Sequence, residues 1–348
     1  MAEAIEVQSY SELLRPVLVE YSALARTRMF QYLEPKGGER YLYDLAREYP
    51  ARGGRGMRPA LCMANAGAFG GDPEAAVLSA AAIEMLHNAT LIHDDVEDES
   101  EMRRGRPTLH SEFGTPLAVN AGDLLMSIAM QPLYDNVEML GHRLAYRVLR
   151  EFGGVSRQAA EGQAMELAWR HENRVDLVDR DYHEMVFKKT SWLTIVHPMR
   201  IGALIGTKGK VDLEPFIRLG FFIGSAFQIQ DDILNLRGDQ SSYGKELIGD
   251  LAEAKRSLIL IHLLRSIAGA DALRLQELLG MSRVEREPHV SWIMDRINQH
   301  GSIEYAWEVA HAHAGAAQYE FEVLYGGCSE SRDKQFIEHL IYWVIERS

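Results

Sequence analysis

One long apolar segment of the chain ends in Leu91-Ile92-His93-Asp94-Asp95-Val96-Glu97-Asp98-Glu99-Ser100 and is followed at once by Arg103-Arg104-Gly105. The apolar run predicts a buried helix, in which Asp94 and Asp98 lie four residues apart on one face with Asp95 beside them. Like charges at this spacing repel each other, so we expect a cation between them. The alternative is a solvated acidic helix end. The arginines that follow favour the first interpretation, because they interleave cationic and anionic positions.

A second acidic cluster repeats this arrangement further along the chain. Residues 211–237 are predicted to form another apolar helix, which ends in Gln228-Ile229-Gln230-Asp231-Asp232-Ile233-Leu234-Asn235. Two such helices that face each other across a bundle would place both acidic ends around one cavity.

Helical periodicity runs through almost the whole chain. Apolar residues recur at intervals of three and four, and no run alternates as a strand would. The main predicted helices span residues 8–33, 116–138, 140–172, 180–206 with an interruption at Pro198, and 211–237. No linker, low-complexity tract or strict repeat divides the chain. We therefore predict one all-α domain over residues 1–348, a single large helical bundle around a central active-site cavity.

The composition excludes several classes of protein. A net charge of −13 argues against a nucleic-acid partner, since phosphate binding needs a basic face. The only cysteines, Cys62 and Cys328, are too few for a disulfide framework. No targeting signal is evident, and no stretch approaches the ~18 uninterrupted apolar residues of a membrane span. We expect a cytoplasmic protein with no integral membrane segment.

The acidic clusters suit magnesium. This ion prefers oxygen ligands and is usually held by one or two carboxylates together with substrate phosphates. Two facing clusters would allow several such ions to hold one diphosphate. Nearby basic residues would then bind anions: Arg103, Lys189 and Lys245 at a metal-bound diphosphate, and Arg55, Arg58 and Arg104 at a second anion.

Taken together, these motifs resemble those of the trans-isoprenyl diphosphate synthases, also called polyprenyl synthetases. The resemblance spans residues 30–265, and the segments follow the family's order: Gly53–Pro59, His87, Asp94–Asp98, Arg103–Thr108, Gly162-Gln163, Lys189-Thr190, Phe227–Asp232, Gly244-Lys245, Gly249–Leu251 and Lys255. One acidic motif would be weak evidence, whereas the ordered series is specific.

The resemblance implies the isoprenoid synthase fold, a homodimer, and head-to-tail transfer of the prenyl group of an allylic diphosphate onto isopentenyl diphosphate, with diphosphate as the leaving group. It also implies about three Mg²⁺ ions, whose Lewis acidity helps the allylic diphosphate to leave. The implied metal ligands are Asp94, Asp95, Asp98, Asp231, Asp232 and Asn235, and with Lys189 the five aspartates form the implied catalytic set. The allylic diphosphate would contact Arg103, Lys189, Gln228, Lys245 and Lys255, and isopentenyl diphosphate would contact Arg55, Arg58, His87 and Arg104. Thr190 and Gln163 would shield the carbocation through their oxygens.

Three positions depart from the family pattern. Arg55 replaces a lysine and keeps the charge in a planar fork. Ala254 replaces the glycine usual before Lys255. Asn235 replaces the third aspartate of the second motif, which removes one negative charge from that metal site, so we expect weaker metal affinity there.

The product length should depend on the helix that carries Asp94. Ala89 and Thr90 are small where family members that stop at fifteen carbons commonly have an aromatic residue, and Met85, Leu86 and Met126 would form the floor. We therefore predict a product of twenty carbons (geranylgeranyl diphosphate) or longer.

Two other functions stay open at this point. A class I terpene cyclase has similar helices, but its second metal motif is only partly matched by Gly238, Ser242 and Glu246. A non-catalytic partner subunit would be expected to lack metal ligands, whereas five of the six motif positions here are aspartates.

Overall fold

The structure is a computed structural model that describes residues 2–35, 40–237 and 248–347. Its α-helices are α1 Ala2–Tyr32, α2 Leu45–Ala51, α3 Met57–Ala68, α4 Val77–Glu97, α5 Leu109–Phe113, α6 Thr115–Ile128, α7 Gln131–His171, α8 Asp179–Val186, α9 His197–Gly206, α10 Pro215–Arg237, α11 Gly249–Ala252, α12 Leu258–Ser266, α13 Gly269–Leu279, α14 Arg283–Arg286, α15 Val290–Gln299, α16 Ser302–Tyr325 and α17 Arg332–Glu346. Wider π-helical turns span Arg40–Asp44 and Phe187–Val196, and 3₁₀ turns span Pro73–Ala76 and Glu287–His289. The all-α prediction is confirmed. That residues 1–348 form a single domain stays a prediction.

A short β-hairpin follows the first acidic motif and was not predicted. Strands β1 Met102–Arg103 and β2 Arg106–Pro107 pair antiparallel, with Arg103 opposite Arg106. Arg104 (φ 53°) and Gly105 (φ 73°) both have positive φ, which is the geometry of a two-residue type I′ turn. The hairpin places Arg103 beside Asp94 and Asp95, whereas Arg104 reaches the Tyr49 carbonyl.

The observed helix boundaries differ from the predicted ones near Pro132 and Pro198, and they agree at Gly141. The helix predicted over residues 116–138 ends at Ile128, and α7 begins at Gln131 with Pro132 in its first turn, a position that suits proline. A kink at Gly141, where φ is 71°, corresponds to the predicted break between residues 138 and 140. Pro198 starts α9 after the π turn and does not break a regular helix.

Two clusters of buried apolar side chains form the interior. The first draws mainly on α1, α3, α4, α6, α9 and α17. The second draws mainly on α8, α12, α13, α15 and the first half of α16. Helix α10 takes part in both, since Phe216 and Ile223 pack in the first cluster and Ile229 and Ile233 in the second. The acidic end of α10 therefore lies where one apolar cluster gives way to the other.

The segment Pro73–Glu97 is the one stretch within the described residues that is long and apolar enough to cross a membrane by length and composition. Most of it is buried inside the protein, as in the core helix of a globular domain. Its apolar character therefore reflects its burial in the interior of the protein.

Candidate active site

One large cavity, with a volume of about 740 Å³, lies between α3, α4, α7, the π turn at Phe187–Val196 and α10. It brings together most of the residues predicted for the site. Those that line it are Arg55, Arg58, His87, Thr90, Asp94, Arg103, Arg104, Gln163, Lys189, Thr190, Gln228, Asp231, Asp232 and Lys255. Lys245, together with Gly238, Ser242 and Glu246, lies outside the described residues.

In the first acidic motif, each aspartate meets a different cation. Asp94 faces the cavity, with its Oδ1 3.0 Å from Lys189 Nζ. Asp95 is fully buried, and it accepts hydrogen bonds from Arg103 Nε (2.9 and 3.0 Å) and from the Tyr49 hydroxyl (2.5 Å). The repulsion expected between the carboxylates is thus relieved by protein cations.

Asp98 is the C-cap of α4 and is almost fully buried. Its oxygens lie 2.8 Å from Arg170 and 2.7 Å from Lys255. Burial and Asp94 raise the pKa of Asp98, but Lys255, Lys189 and Arg170 outweigh them, and the pKa lies below its ordinary value. Asp98 is therefore held as a carboxylate.

In the second motif, the two aspartates have different surroundings. Asp231 lies 2.8 Å from the guanidinium of Arg347. Asp232 is buried and accepts hydrogen bonds from the Tyr182 hydroxyl (2.7 Å) and Gln228 Nε2 (2.8 Å), both neutral donors. Burial, and next Asp250, raise the pKa of Asp232 to about 8, against the effect of its two donors. A divalent cation at the neighbouring Asp231 would lower the pKa of Asp232.

Asn235 does not line the cavity. Its side chain is buried, and its Oδ1 accepts a hydrogen bond from the backbone N–H of Asp250 at 3.3 Å. The amide thus links the end of α10 to α11. A metal-ligand role for Asn235, and the weaker metal affinity attributed to it, stay predictions that this geometry does not favour.

The residues predicted for the second diphosphate form a basic pocket. Arg58 donates to Thr194 Oγ1 (2.7 Å), Arg104 donates to the Tyr49 carbonyl (3.0 Å), and Arg55 stacks 5.3 Å from the centre of the Trp343 ring. Burial, and then Arg58 and Arg104, keep the pKa of His87 well below its usual range. His87 is therefore a neutral imidazole that can donate one hydrogen bond.

Helix α7 supplies a polar wall that the sequence only partly predicted. Gly162 allows the close approach of the π turn, because a Cβ there would lie 2.3 Å from the Lys189 backbone nitrogen. Lys189 also pairs with Glu166, and Gln163 donates to Glu97 at 2.6 Å. Glu166 and Arg170 follow Gln163 at helical spacing, so periodicity along α7 was the signal that could have identified them.

Lys255 is tied to three carboxylates. Its ammonium lies 2.7 Å from Asp98, 3.0 Å from Glu253 and 3.6 Å from Asp250. The preceding Ala254 has φ 56°, a left-handed conformation that favours glycine, which explains why the family pattern has glycine there.

The residues predicted to measure product length are only partly on the cavity. Thr90, Leu86 and Met126 line it, whereas Ala89 and Met85 are fully buried elsewhere in the packing of α4. The helical repeat explains this correction. Thr90 is four residues before Asp94 and rotated by about 40° from it, while Ala89 and Met85 are rotated by about 140° and 180°. The face that carries Asp94 is therefore continued by Thr90 and Leu86.

The donor set fits Mg²⁺ bound together with a diphosphate. Within residues 2–35, 40–237 and 248–347, no three acidic, histidine or cysteine side chains form a ready-made metal cage. Mg²⁺ does not need one, since it keeps its waters and takes phosphate oxygens beside one or two carboxylates. Asp94 and Asp231 line the cavity from opposite helices, as that mode of binding requires.

Comparisons with known proteins agree with this geometry. The family model described as polyprenyl synthetase matches residues 39–297. A short chain isoprenyl diphosphate synthase of Methanothermobacter thermautotrophicus is 34% identical over 333 residues, which cover 95% of this chain and 98% of that protein. A geranylgeranyl diphosphate synthase of Saccharolobus solfataricus is 32% identical, with 76% of this chain and 78% of that protein covered. The crystal structure of geranylgeranyl pyrophosphate synthetase from Pyrococcus horikoshii has a TM-score of 0.83 at 31% identity, with 98% and 100% covered. The chain therefore belongs to the polyprenyl synthetase family.

Proposed function

We propose that this protein condenses isopentenyl diphosphate head-to-tail with an allylic diphosphate and releases a trans-prenyl diphosphate of twenty carbons or more. The observation that carries the proposal is the cavity itself, which Asp94 and Asp231 line from two different helices, with Lys189 and Arg103 close to Asp94. Several relatives are named geranylgeranyl diphosphate synthase, which supports this product class. Family membership and the basic pocket disfavour a terpene cyclase, and the retained aspartates disfavour a non-catalytic subunit.

Asp94 and Asp98 on one side and Asp231 on the other would hold Mg²⁺ together with the allylic diphosphate; the resemblance implies about three ions. When bound, they would supply Lewis acidity that stabilises the departing diphosphate. Lys189, Lys255 and Arg347 now neutralise these carboxylates. On substrate binding, the same cations would turn to diphosphate oxygens.

The remaining residues bind the second substrate and protect the cation. Arg55, Arg58, Arg104 and the neutral His87 would hold isopentenyl diphosphate in the basic pocket. Gln163 would present its Oε1 to the allylic cation, because its Nε2 donates to Glu97. Closure of the site would exclude water, which otherwise quenches a carbocation.

We also propose that the protein is a cytoplasmic homodimer. Support comes from large apolar side chains that α6 and α7 expose, among them Tyr134, Met139 and Tyr146, which are 57%, 51% and 61% exposed. The segment apolar enough to span a membrane is mostly buried, in keeping with a cytoplasmic enzyme. Sedimentation of the purified protein should give the mass of a dimer, and Met139→Glu should shift it toward the monomer. A monomeric wild-type protein would contradict this part.

The decisive experiment is to incubate purified protein with MgCl₂, isopentenyl diphosphate and each allylic diphosphate in turn, and to identify the products by chromatography and mass. Linear prenyl diphosphates of twenty carbons or more are expected, and none with EDTA. A cyclic hydrocarbon would identify a cyclase. Activity only after a second synthase is added would identify a partner subunit.

A further inference from the structure

Tyr182 is a buried residue of α8 to which no motif assigns a function. It is 1% exposed and lines the cavity beside Asp232. Its hydroxyl donates to Asp232 Oδ2 at 2.7 Å. The other oxygen of Asp232 accepts from Gln228 Nε2 at 2.8 Å, so both oxygens have a protein donor. No ion pair of Asp232 with a basic side chain occurs among the described residues, unlike Asp95, which Arg103 neutralises.

The hydrogen bonds continue from Asp232 to the cavity wall. Gln228 donates from its Nε2 to Asp232 Oδ1, so its NH₂ group is turned toward Asp232 and its Oε1 away. That Oε1 lies 2.9 Å from Thr190 Oγ1, and Thr190 must therefore be the donor. The proton of Thr190 is thus committed to Gln228. The lone pairs of Thr190 are left for the cavity, where a cation would form.

The π turn at Phe187–Val196 allows both Tyr182 and Thr190 to contact α10. Tyr182 and Thr190 are eight residues apart, and in a regular α-helix they would be rotated by about 80° from each other. The wider turns of the π segment rotate less per residue, so both hydroxyls reach α10. There they meet Asp232 and Gln228, which are four residues apart on one face.

We propose that Tyr182 is a positioning residue for prenyl transfer, which holds Asp232 and thereby sets the orientation of Gln228 and of the Thr190 hydroxyl. Without the Tyr182 hydroxyl, one oxygen of the buried Asp232 side chain loses its donor, and the carboxyl group rotates to recover one. Gln228 then loses its fixed orientation, and Thr190 no longer presents lone pairs to the cavity. The inference rests on the proposed prenyl transfer.

The test compares Tyr182→Phe with Tyr325→Phe. Tyr325 is equally buried, and its hydroxyl donates to Asn65. Both variants lose one buried hydroxyl, and a similar fall in Tm is expected. Tyr182→Phe should lower kcat about tenfold, while KM for isopentenyl diphosphate stays within about twofold, because the basic pocket is unchanged. Tyr325→Phe should keep wild-type kcat. Equal kcat values for the two variants would overturn the proposal.

Two further measurements test the path through Thr190. In a Thr190→Val background, Tyr182→Phe should lower kcat by less than about twofold, because residues in one network are not additive; a full tenfold loss there would refute the path. A crystal structure of Tyr182→Phe gives a readout independent of activity, in which Thr190 and Gln228 should separate. Their staying bonded would contradict the inference. A wild-type protein without activity would instead refute the proposed function.

Discussion

Replacing Lys255 by methionine should destabilise the ligand-free protein and make its stability depend on magnesium. The side chain of Lys255 is 14% exposed and lies between Asp98 and Glu253. Removing one partner of a buried ion pair costs about 3–5 kcal/mol, and the lower end applies because Asp98 keeps Arg170 at 2.8 Å. An unfolding entropy of about 2.1 cal/mol/K per residue gives roughly 0.7 kcal/mol/K for a chain of this length, so Tm should fall by about 4 °C.

Thermal unfolding with and without MgCl₂ measures this effect. Mg²⁺ should raise the Tm of Lys255→Met more than that of the wild type, because the variant leaves carboxylates that a cation can bind in the native state only. The control is Arg237→Met, which removes a half-exposed cation that pairs with the half-exposed Glu304. A fall in Tm no larger than in the control, or an equal response of variant and wild type to Mg²⁺, would refute the reasoning.

Three other predictions follow from the geometry. The pKa of Asp232 is raised to about 8, so the folded state binds the proton of Asp232 more tightly than the unfolded state does. The contribution of this proton to the stability of the folded protein is complete below about pH 4 and is lost as the pH rises through 8. Asp232→Asn should therefore flatten the pH dependence of the stability of the ligand-free protein over that range, as measured by urea titrations. Thr90→Phe should shorten the product, whereas Ala89→Phe should leave its length unchanged and destabilise the protein by about 1–3 kcal/mol through overpacking; the opposite pattern in product chromatography would place the chain on another face of α4. Ala254→Val should lower Tm, since a β-branched residue fits φ 56° worst, whereas Ala254→Gly should not lower it, and equal Tm values would contradict this.

Periodicity was sufficient to predict the fold class, because a bundle requires only that each helix bury one face. It could not predict the π turn at Phe187–Val196, whose apolar spacing is close to that of an α-helix. The hairpin was missed because its strands have two residues each, too short for any alternation. Its one signal was Gly105, since glycine readily adopts the positive φ that this turn requires.

The motif residues on the cavity were predicted by their order along the chain. The residues that contact the aspartates of these motifs were not predicted, since they come from distant parts of the chain. Tyr49 is 46 residues from Asp95, Tyr182 is 50 from Asp232, and Arg170 is 72 from Asp98. No local pattern links such pairs, because only the packing of α2, α7 and α8 brings them together. For Ala89 and Met85, the error was to count residues along α4 without following its rotation.

The passage of α10 from one apolar cluster to the other has a mechanical consequence. Each cluster is close-packed, so it resists compression and transmits strain. Gln228, Asp231 and Asp232 occupy the turn at which α10 leaves the first cluster for the second. Strain in either interior would therefore reach these three residues through α10. The packing of both clusters thus fixes the position of the second acidic motif on the cavity wall.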